Sequence, residues 1–198
     1  MKLYYLPRSR STRVLWMLEE LGVPYELVVM APEERHSQEH RRRHPLGRVP
    51  VIEFDDGRLL FESAAICLQL ADLHPDTGLM PPIGSAERAL AYQWTFFAMT
   101  ELEKRVFDWL FASRRGEDVS EHATGFEPLR MALTDGLGDK QWLTGASFTV
   151  ADLLCATMLA NAYHRELLTD DGPLRSFAQR AQARPAAQRA EAIDVSHH

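Results

Sequence analysis

The sequence has few of the features that mark a redox protein, a metalloprotein or a membrane protein. Only two of its 198 residues are cysteines, Cys67 and Cys155, and they form no Cys-x-x-Cys motif. Neither a zinc ribbon nor a dithiol redox centre is therefore indicated, and we expect two apolar core cysteines and no metal. The sequence contains no run of about 18 apolar residues, so no membrane span is predicted. The N-terminal segment also turns polar too early for a secretory signal, so we expect a cytoplasmic protein.

An excess of basic residues is also missing. The chain has 22 Lys and Arg against 28 Asp and Glu, a formal net charge of −6. This balance argues against nucleic acid as the main partner. The segment "HRRRH" at 40–44 is the exception. It is either the solvated end of a helix or a basic patch beside a small anionic ligand.

The first third of the chain alternates strand and helix patterns in the order βαβ-α-ββα. Strands are predicted at 2–6, 25–30, 49–54 and 58–61, and helices at 11–22, 32–44 and 63–74. The first two strands need a crossover and should be parallel. The last two are separated by Asp55-Asp56-Gly57, a hairpin signal, and should be antiparallel. A mixed four-stranded sheet follows.

The remainder of the chain is predicted to be helical. The segment 74–85 is rich in proline and glycine, which indicates a boundary. We therefore predict a first domain at 1–77, a linker at 78–84 and an all-α domain at 85–198. Its helices are expected at 85–113, 120–137 and 149–163, with two shorter ones around Pro185. Thr149 and Asp152 have the spacing of a capping box, so we expect Asp152 to be structural and not catalytic.

Four segments of the chain form a recognisable series: "YYLPRSRSTRVLWMLEELGVPYE" at 4–26, "HPLGRVPVIEFDDG" at 44–57, "LFESAAI" at 60–66 and "FTVADLL" at 148–154. In their order and spacing they resemble the cytosolic glutathione transferases. The resemblance is to a serine-type, bacterial-like member. It implies a thioredoxin-like N-terminal domain, an all-α C-terminal domain and a homodimer that conjugates glutathione to a small hydrophobic electrophile in detoxification. The alternatives are a glutathione-dependent isomerase, dehalogenase or peroxidase on the same scaffold, or a non-catalytic binding module.

Such chemistry requires a protein that stabilises a thiolate, because a free thiol has a pKa of roughly 8.5. Hydroxyl donors at a helix N-terminus can do this. By resemblance to delta-type members, Ser9 is the first candidate donor, although a serine there can simply cap the helix. Tyr5 is the competing donor, since tyrosine-type members have their tyrosine before a residue and a proline. Arg10 stands where beta-type members have a cysteine, and its guanidinium could assist; Ser11 and Arg13 are expected to be structural.

The resemblance also implies a set of glutathione contacts. Val49-Pro50 corresponds to a cis peptide bond in the family, whose turn exposes the backbone of Val49 to the cysteinyl part of glutathione. Ser63, at a helix start, suits the carboxylate of the γ-glutamyl end. Glu62 suits the ammonium group of that same end.

Two further groups of residues complete the predicted site. Arg48 is the candidate for the glycyl carboxylate, with His36 as a weaker one. The second substrate is expected between the domains, against the long helix that follows the linker. Its candidate pocket residues are Trp94, Phe97 and Thr100. Core packing is the alternative for these aromatic residues, because an aromatic stripe at helical spacing is more often core than ligand site.

Overall fold

The computed structural model describes residues 1–197, and the last residue of the predicted helical domain, His198, lies outside them. Contacts divide the chain into two compact units. The first contains Met1–Thr77 together with the segment that starts at Arg184, and the second is Gly78–Ala183. The final helix therefore belongs to the same unit as the sheet.

The first unit is built on a four-stranded mixed sheet. Its strands are β1 (Lys2–Tyr5), β2 (Glu26–Val29), β3 (Val51–Glu53) and β4 (Leu59–Phe61). The spatial order is β2-β1-β3-β4. Strand β1 is parallel to β2 and antiparallel to β3, and β3 is antiparallel to β4. The predicted sheet is confirmed, and its centre is Leu3, which lies opposite Leu27 and Ile52.

Nine α-helices occur among the described residues. They are α1 (Ser11–Leu21), α2 (Gln38–Arg43), α3 (Ser63–Leu73), α4 (Ala86–Phe97), α5 (Glu103–Arg114), α6 (Ser120–Leu137), α7 (Val150–His164), α8 (Pro173–Gln182) and α9 (Pro185–Ser196). The helical pattern predicted beyond the linker is confirmed. A π-helical turn, Ala98–Leu102, joins α4 to α5, so the predicted long helix is continuous but not uniform.

One predicted helix is divided in the structure. The segment 32–44 forms a 3₁₀ turn, Pro32–His36, followed by α2. Ser37 separates them because it is extended, with φ −63° and ψ 151°, and its side chain accepts a hydrogen bond from the His40 amide. A serine that caps the second helix thus ends the first one.

Helix α9 is attached to α1 by two pairs of charged residues. The Arg184 guanidinium donates to both carboxylate oxygens of Glu20, at 2.6 and 2.7 Å. Arg189 donates to the Glu19 carboxylate at 2.7 Å and to the Glu19 carbonyl oxygen at 2.8 Å. Two-point contacts of this kind restrict geometry as well as adding energy. They fix both the position and the rotation of α9 on α1.

The second unit has a polar group at the start of its most buried helix. The Asp152 carboxylate is fully buried and accepts hydrogen bonds from the Leu143 amide at 2.8 Å and the Thr149 amide at 2.9 Å. Burial raises the pKa of Asp152, while these hydrogen bonds oppose that shift. The predicted capping box is confirmed.

Two kinds of feature are absent from the residues that the structure describes. Between residues 1 and 197 no helix has the length and apolar character that crossing a membrane requires. In the same residues, no group of three or more His, Cys, Asp and Glu side chains is arranged so that it could hold a metal ion.

Candidate functional site

The turn between β1 and α1 is held by two serine hydroxyls. Ser9 Oγ donates to the Leu6 carbonyl oxygen at 2.7 Å and accepts from the Ser11 amide at 3.1 Å. Ser11 Oγ accepts from the Leu6 amide at 3.1 Å and forms a hydrogen bond with Ser9 Oγ. Ser11 is fully buried and Ser9 is partly exposed. Of the two serines, Ser9 is therefore the more accessible residue.

This turn lies at the N-terminus of α1. Ser11 is the first helical residue, and Arg10 precedes it with an exposed side chain. A helix N-terminus presents amide N–H groups and a partial positive charge, which favour an anion. Ser9 both caps the Ser11 amide and stands beside this positive end. The structural and functional interpretations of Ser9 are therefore compatible.

The Tyr5 hydroxyl, the competing donor, has a carboxylate partner. Tyr5 is fully buried, and its hydroxyl donates to the Asp194 carboxylate on α9. The same oxygen, Asp194 Oδ1, accepts from the Arg8 amide at 3.1 Å. Burial and the hydrogen bond to Asp194 raise the pKa of Tyr5 well above its ordinary value. No sequence motif indicated Asp194, which is 189 residues from Tyr5.

The start of α3 is linked to α1 by a buried guanidinium. Arg13 has 1% of its surface exposed, and its Nη1 donates to Ser63 Oγ at 3.2 Å. Ser63 is also buried, whereas Glu62 is exposed and has a left-handed backbone with φ 71°. A structural role was predicted for Arg13 from the sequence, but its contact with Ser63 was not.

The predicted cis peptide bond is present at Val49-Pro50. Both residues are buried and come directly before β3. On their other side, the Arg48 carbonyl oxygen lies 2.9 Å from His40 Nε2, which donates because a carbonyl oxygen can only accept. His40 is fully buried, so α2 fixes the backbone of Arg48 while its side chain stays exposed.

Gly47 is required by the turn that leads into this segment. Its φ is 61°, and a Cβ at this position would lie 2.5 Å from the Arg35 carbonyl oxygen. Both the left-handed conformation and the close approach exclude larger residues. His36, the weaker glutathione candidate, is exposed at the end of the preceding 3₁₀ turn.

His44 lies in the turn between α2 and the cis peptide bond. Its Nδ1 accepts a hydrogen bond from the Leu46 amide at 3.1 Å, and its ring centroid lies 4.6 Å from that of Phe61. Burial lowers the pKa of His44, with Glu62 acting in the opposite direction. A neutral ring therefore suits the turn, because Nδ1 must be unprotonated to accept.

The three predicted pocket residues occupy different environments in the second unit. Trp94 is buried and packs on Gly136, where a Cβ would lie 2.1 Å from the indole. Phe97 is partly exposed and meets Trp94 edge-on at 5.3 Å between centroids. Thr100 is exposed in the π-helical turn. The structure thus places Trp94 in the core, and the pocket itself stays a prediction.

Comparisons with known proteins support the same family along the whole chain. The family model described as "Glutathione S-transferase, N-terminal domain" matches residues 3–78. The chain is 33% identical over 193 residues to "Glutathione S-transferase GstA" of Escherichia coli O157:H7, covering 95% of this chain and 96% of that protein.

Solved structures agree with the sequence comparison. The crystal structure of a glutathione transferase from Methylococcus capsulatus is similar with a TM-score of 0.85 and 30% identity, and 98% of each chain is covered. A sphingomonad glutathione S-transferase complexed with glutathione is similar with a TM-score of 0.81 and 28% identity, again covering 98% of each chain. The chain belongs to the glutathione S-transferase family, as its sequence predicted, and its thioredoxin-like and helical parts are confirmed. The alternative activities and the binding module are not favoured.

Proposed function

We propose that this chain binds glutathione and that the Ser9 hydroxyl stabilises the thiolate for attack on a small hydrophobic electrophile. One observation carries the proposal. Ser9 is partly exposed at the N-terminus of α1, whereas Tyr5 is buried and its hydroxyl donates to Asp194. The group that can donate to a bound sulfur is therefore Ser9, and the helix end adds a favourable electrostatic contribution.

Ser11 allows Ser9 to change its hydrogen-bond partner at low cost. When Ser9 donates to a thiolate, its proton must turn away from the Leu6 carbonyl oxygen. Ser11 Oγ lies 3.1 Å from that oxygen and can donate to it instead. The Leu6 carbonyl then keeps a partner, which avoids the penalty of a buried, unsatisfied acceptor.

We assign the remaining parts of glutathione to the other predicted residues. We assign the γ-glutamyl carboxylate to Ser63 and the N-terminus of α3, and its ammonium to Glu62. The backbone of Val49, before cis Pro50, is assigned to the cysteinyl part. Arg48, with an exposed side chain, is assigned to the glycyl carboxylate. His36 stays a weaker alternative for that carboxylate.

Other parts of the proposal depend on the family. We retain a homodimer, a cytoplasmic location and chemistry without a metal. Arg10, exposed beside Ser9, is retained as an assisting cation. The second-substrate pocket is retained around Phe97 and Thr100, with Trp94 supporting Phe97 from the core.

A conjugation assay with a general aromatic halide tests the donor. We expect Ser9→Ala to lower kcat/KM by about tenfold to a hundredfold, because a hydrogen bond to a charged group is lost. Tyr5→Phe should keep activity within about threefold. The exposed Ser113 serves as a control, since Ser113→Ala should have no effect. Full activity in Ser9→Ala with loss in Tyr5→Phe would reverse the assignment, and failure to be retained on immobilised glutathione would contradict the function itself.

A further inference from the structure

A single carboxylate oxygen on the last helix contacts the turn that carries Ser9. Asp194 Oδ1 accepts from the Tyr5 hydroxyl and, at 3.1 Å, from the Arg8 amide. Tyr5 is the last residue of β1, and Arg8 directly precedes Ser9. Both ends of the segment leading to Ser9 are thus hydrogen-bonded to α9.

The turn needs such support at Arg8. Its φ is 52°, a left-handed conformation that residues other than glycine adopt infrequently. A backbone amide that donates to a carboxylate makes a stronger hydrogen bond than one between neutral groups. Asp194 therefore stabilises the unusual backbone immediately before Ser9.

Asp194 is itself held in a fixed position. Arg184 and Arg189 attach α9 to Glu20 and Glu19 on α1, and the Glu20 side chain is only 7% exposed. Ser9 lies two residues before the start of that same helix. The end of α9 and the N-terminus of α1 are therefore connected by hydrogen bonds within the first unit.

We propose that Asp194 is a positioning residue for Ser9: it holds Tyr5 and the Arg8 backbone so that the Ser9 hydroxyl faces the thiolate. This role rests on the proposed function of Ser9. The hydrogen bond from the Tyr5 hydroxyl to Asp194 links the end of β1 to α9, so this hydroxyl already has an acceptor.

Variants at Asp194 separate positioning from simple stability. Asp194→Ala should lower kcat for conjugation about tenfold, because a charged hydrogen-bond acceptor is lost, while KM for glutathione changes less than about twofold. Asp194→Asn keeps an amide oxygen that can accept from both donors, so it should restore most of kcat. Asp194→Glu keeps the charge but moves it by one methylene, and should lower kcat without lowering the melting temperature. Glu191→Ala, an exposed charge removal on the same helix, is the control.

Hydrogen–deuterium exchange provides a readout that does not need catalysis. Exchange should increase in peptides covering residues 6–12 of Asp194→Ala and stay unchanged in peptides from α3. Wild-type kcat and wild-type exchange in folded Asp194→Ala would overturn the proposal. If Asp194→Ala does not fold, wild-type kcat in folded Asp194→Glu would overturn it equally. If the wild type shows no conjugation activity but Asp194→Ala still increases exchange in residues 6–12, the proposed function is overturned. The contact of Asp194 with the turn is then still supported.

Discussion

The buried guanidinium of Arg13 donates a hydrogen bond to Ser63 Oγ at 3.2 Å. Arg13 lies in the first turn of α1, and Ser63 is the first residue of α3. The proposed site uses one helix N-terminus for the thiolate and the other for the γ-glutamyl carboxylate. A single buried cation therefore connects the two helix ends that are assigned to two different groups of one ligand, its thiolate and its γ-glutamyl carboxylate.

The contact between Arg13 and Ser63 predicts that Ser63→Ala weakens both glutathione binding and the stability of the fold. We expect Ser63→Ala to raise KM for glutathione about tenfold, since a hydroxyl donor to a carboxylate is lost. The free energy of unfolding should fall by about 1–3 kcal/mol because the Arg13 guanidinium loses a buried acceptor. Steady-state kinetics and urea unfolding measure the two effects. Ser113→Ala, on an exposed helical position, should change neither, and an unchanged KM in Ser63→Ala would contradict the assignment.

Gly47 and Gly57 form a matched pair for the turn before cis Pro50. Both have positive φ, 61° and 81°, but only at Gly47 would a Cβ meet a neighbour, the Arg35 carbonyl oxygen. Gly57→Ala should lower the free energy of unfolding by about 1–2 kcal/mol through backbone strain alone. Gly47→Ala should lower the free energy of unfolding by about 1–3 kcal/mol more than Gly57→Ala does, because its Cβ would overlap the Arg35 carbonyl oxygen. Equal losses in urea unfolding would show that the close approach at Gly47 has no energetic effect.

The sheet could be predicted from the sequence because its signals are local. A crossover between the first two strands and the turn at 55–57 determine parallel and antiparallel pairing. The capping serines at 37 and 85 act locally too, yet the break at Ser37 was missed because 32–44 read as one polar helix.

The parts of the site that depend on long-range contacts could not be predicted. Asp194 lies in a helix with no recognisable motif, and its partner Tyr5 is 189 positions away. Arg13 and Ser63 are 50 positions apart. Hydrophobic periodicity reports which face of an element is buried, but it does not report which polar groups meet after folding. Family resemblance supplied candidate residues, and only the structure supplied their partners.

Two glycines of α6 form a second pair of comparable variants, in the unit that contains the predicted pocket residues. At Gly136 a Cβ would lie 2.1 Å from Trp94, whereas at Gly125 the nearest atom is Arg105 Nη1 at 3.2 Å, on a flexible side chain. Alanine in a helix is otherwise favoured over glycine by about 1 kcal/mol. Gly125→Ala should therefore be neutral or stabilising, and Gly136→Ala should destabilise by about 1–3 kcal/mol. Thermal and urea unfolding measure both, and a stable Gly136→Ala would contradict the packing of Trp94.

His44 predicts a dependence of stability on pH. Because burial lowers its pKa below the ordinary value of about 6.5, the unfolded state takes up a proton at a higher pH than the folded state does. The free energy of unfolding should therefore fall as pH decreases below about 6.5, and protonation should also remove the hydrogen bond from the Leu46 amide.

The variant His44→Asn tests this dependence of stability on pH. An asparagine side chain can accept from the amide two residues ahead, as His44 does, but it does not titrate. His44→Asn should therefore lose less stability than the wild type between neutral pH and about pH 5 in urea unfolding. His164→Asn, at an exposed position, is the control and should follow the wild type. Identical pH profiles for wild type and His44→Asn would show that His44 does not contribute.

The pKa of the glutathione thiol on the protein tests the central claim most directly. Titration of the thiolate absorbance should give a value below the roughly 8.5 of a free thiol in the wild type and in Tyr5→Phe. Ser9→Ala should raise that pKa by about one unit or more, the equivalent of about 1.4 kcal/mol of lost thiolate stabilisation. An unchanged thiol pKa in Ser9→Ala, together with a raised one in Tyr5→Phe, would contradict the assignment of Ser9 as the donor.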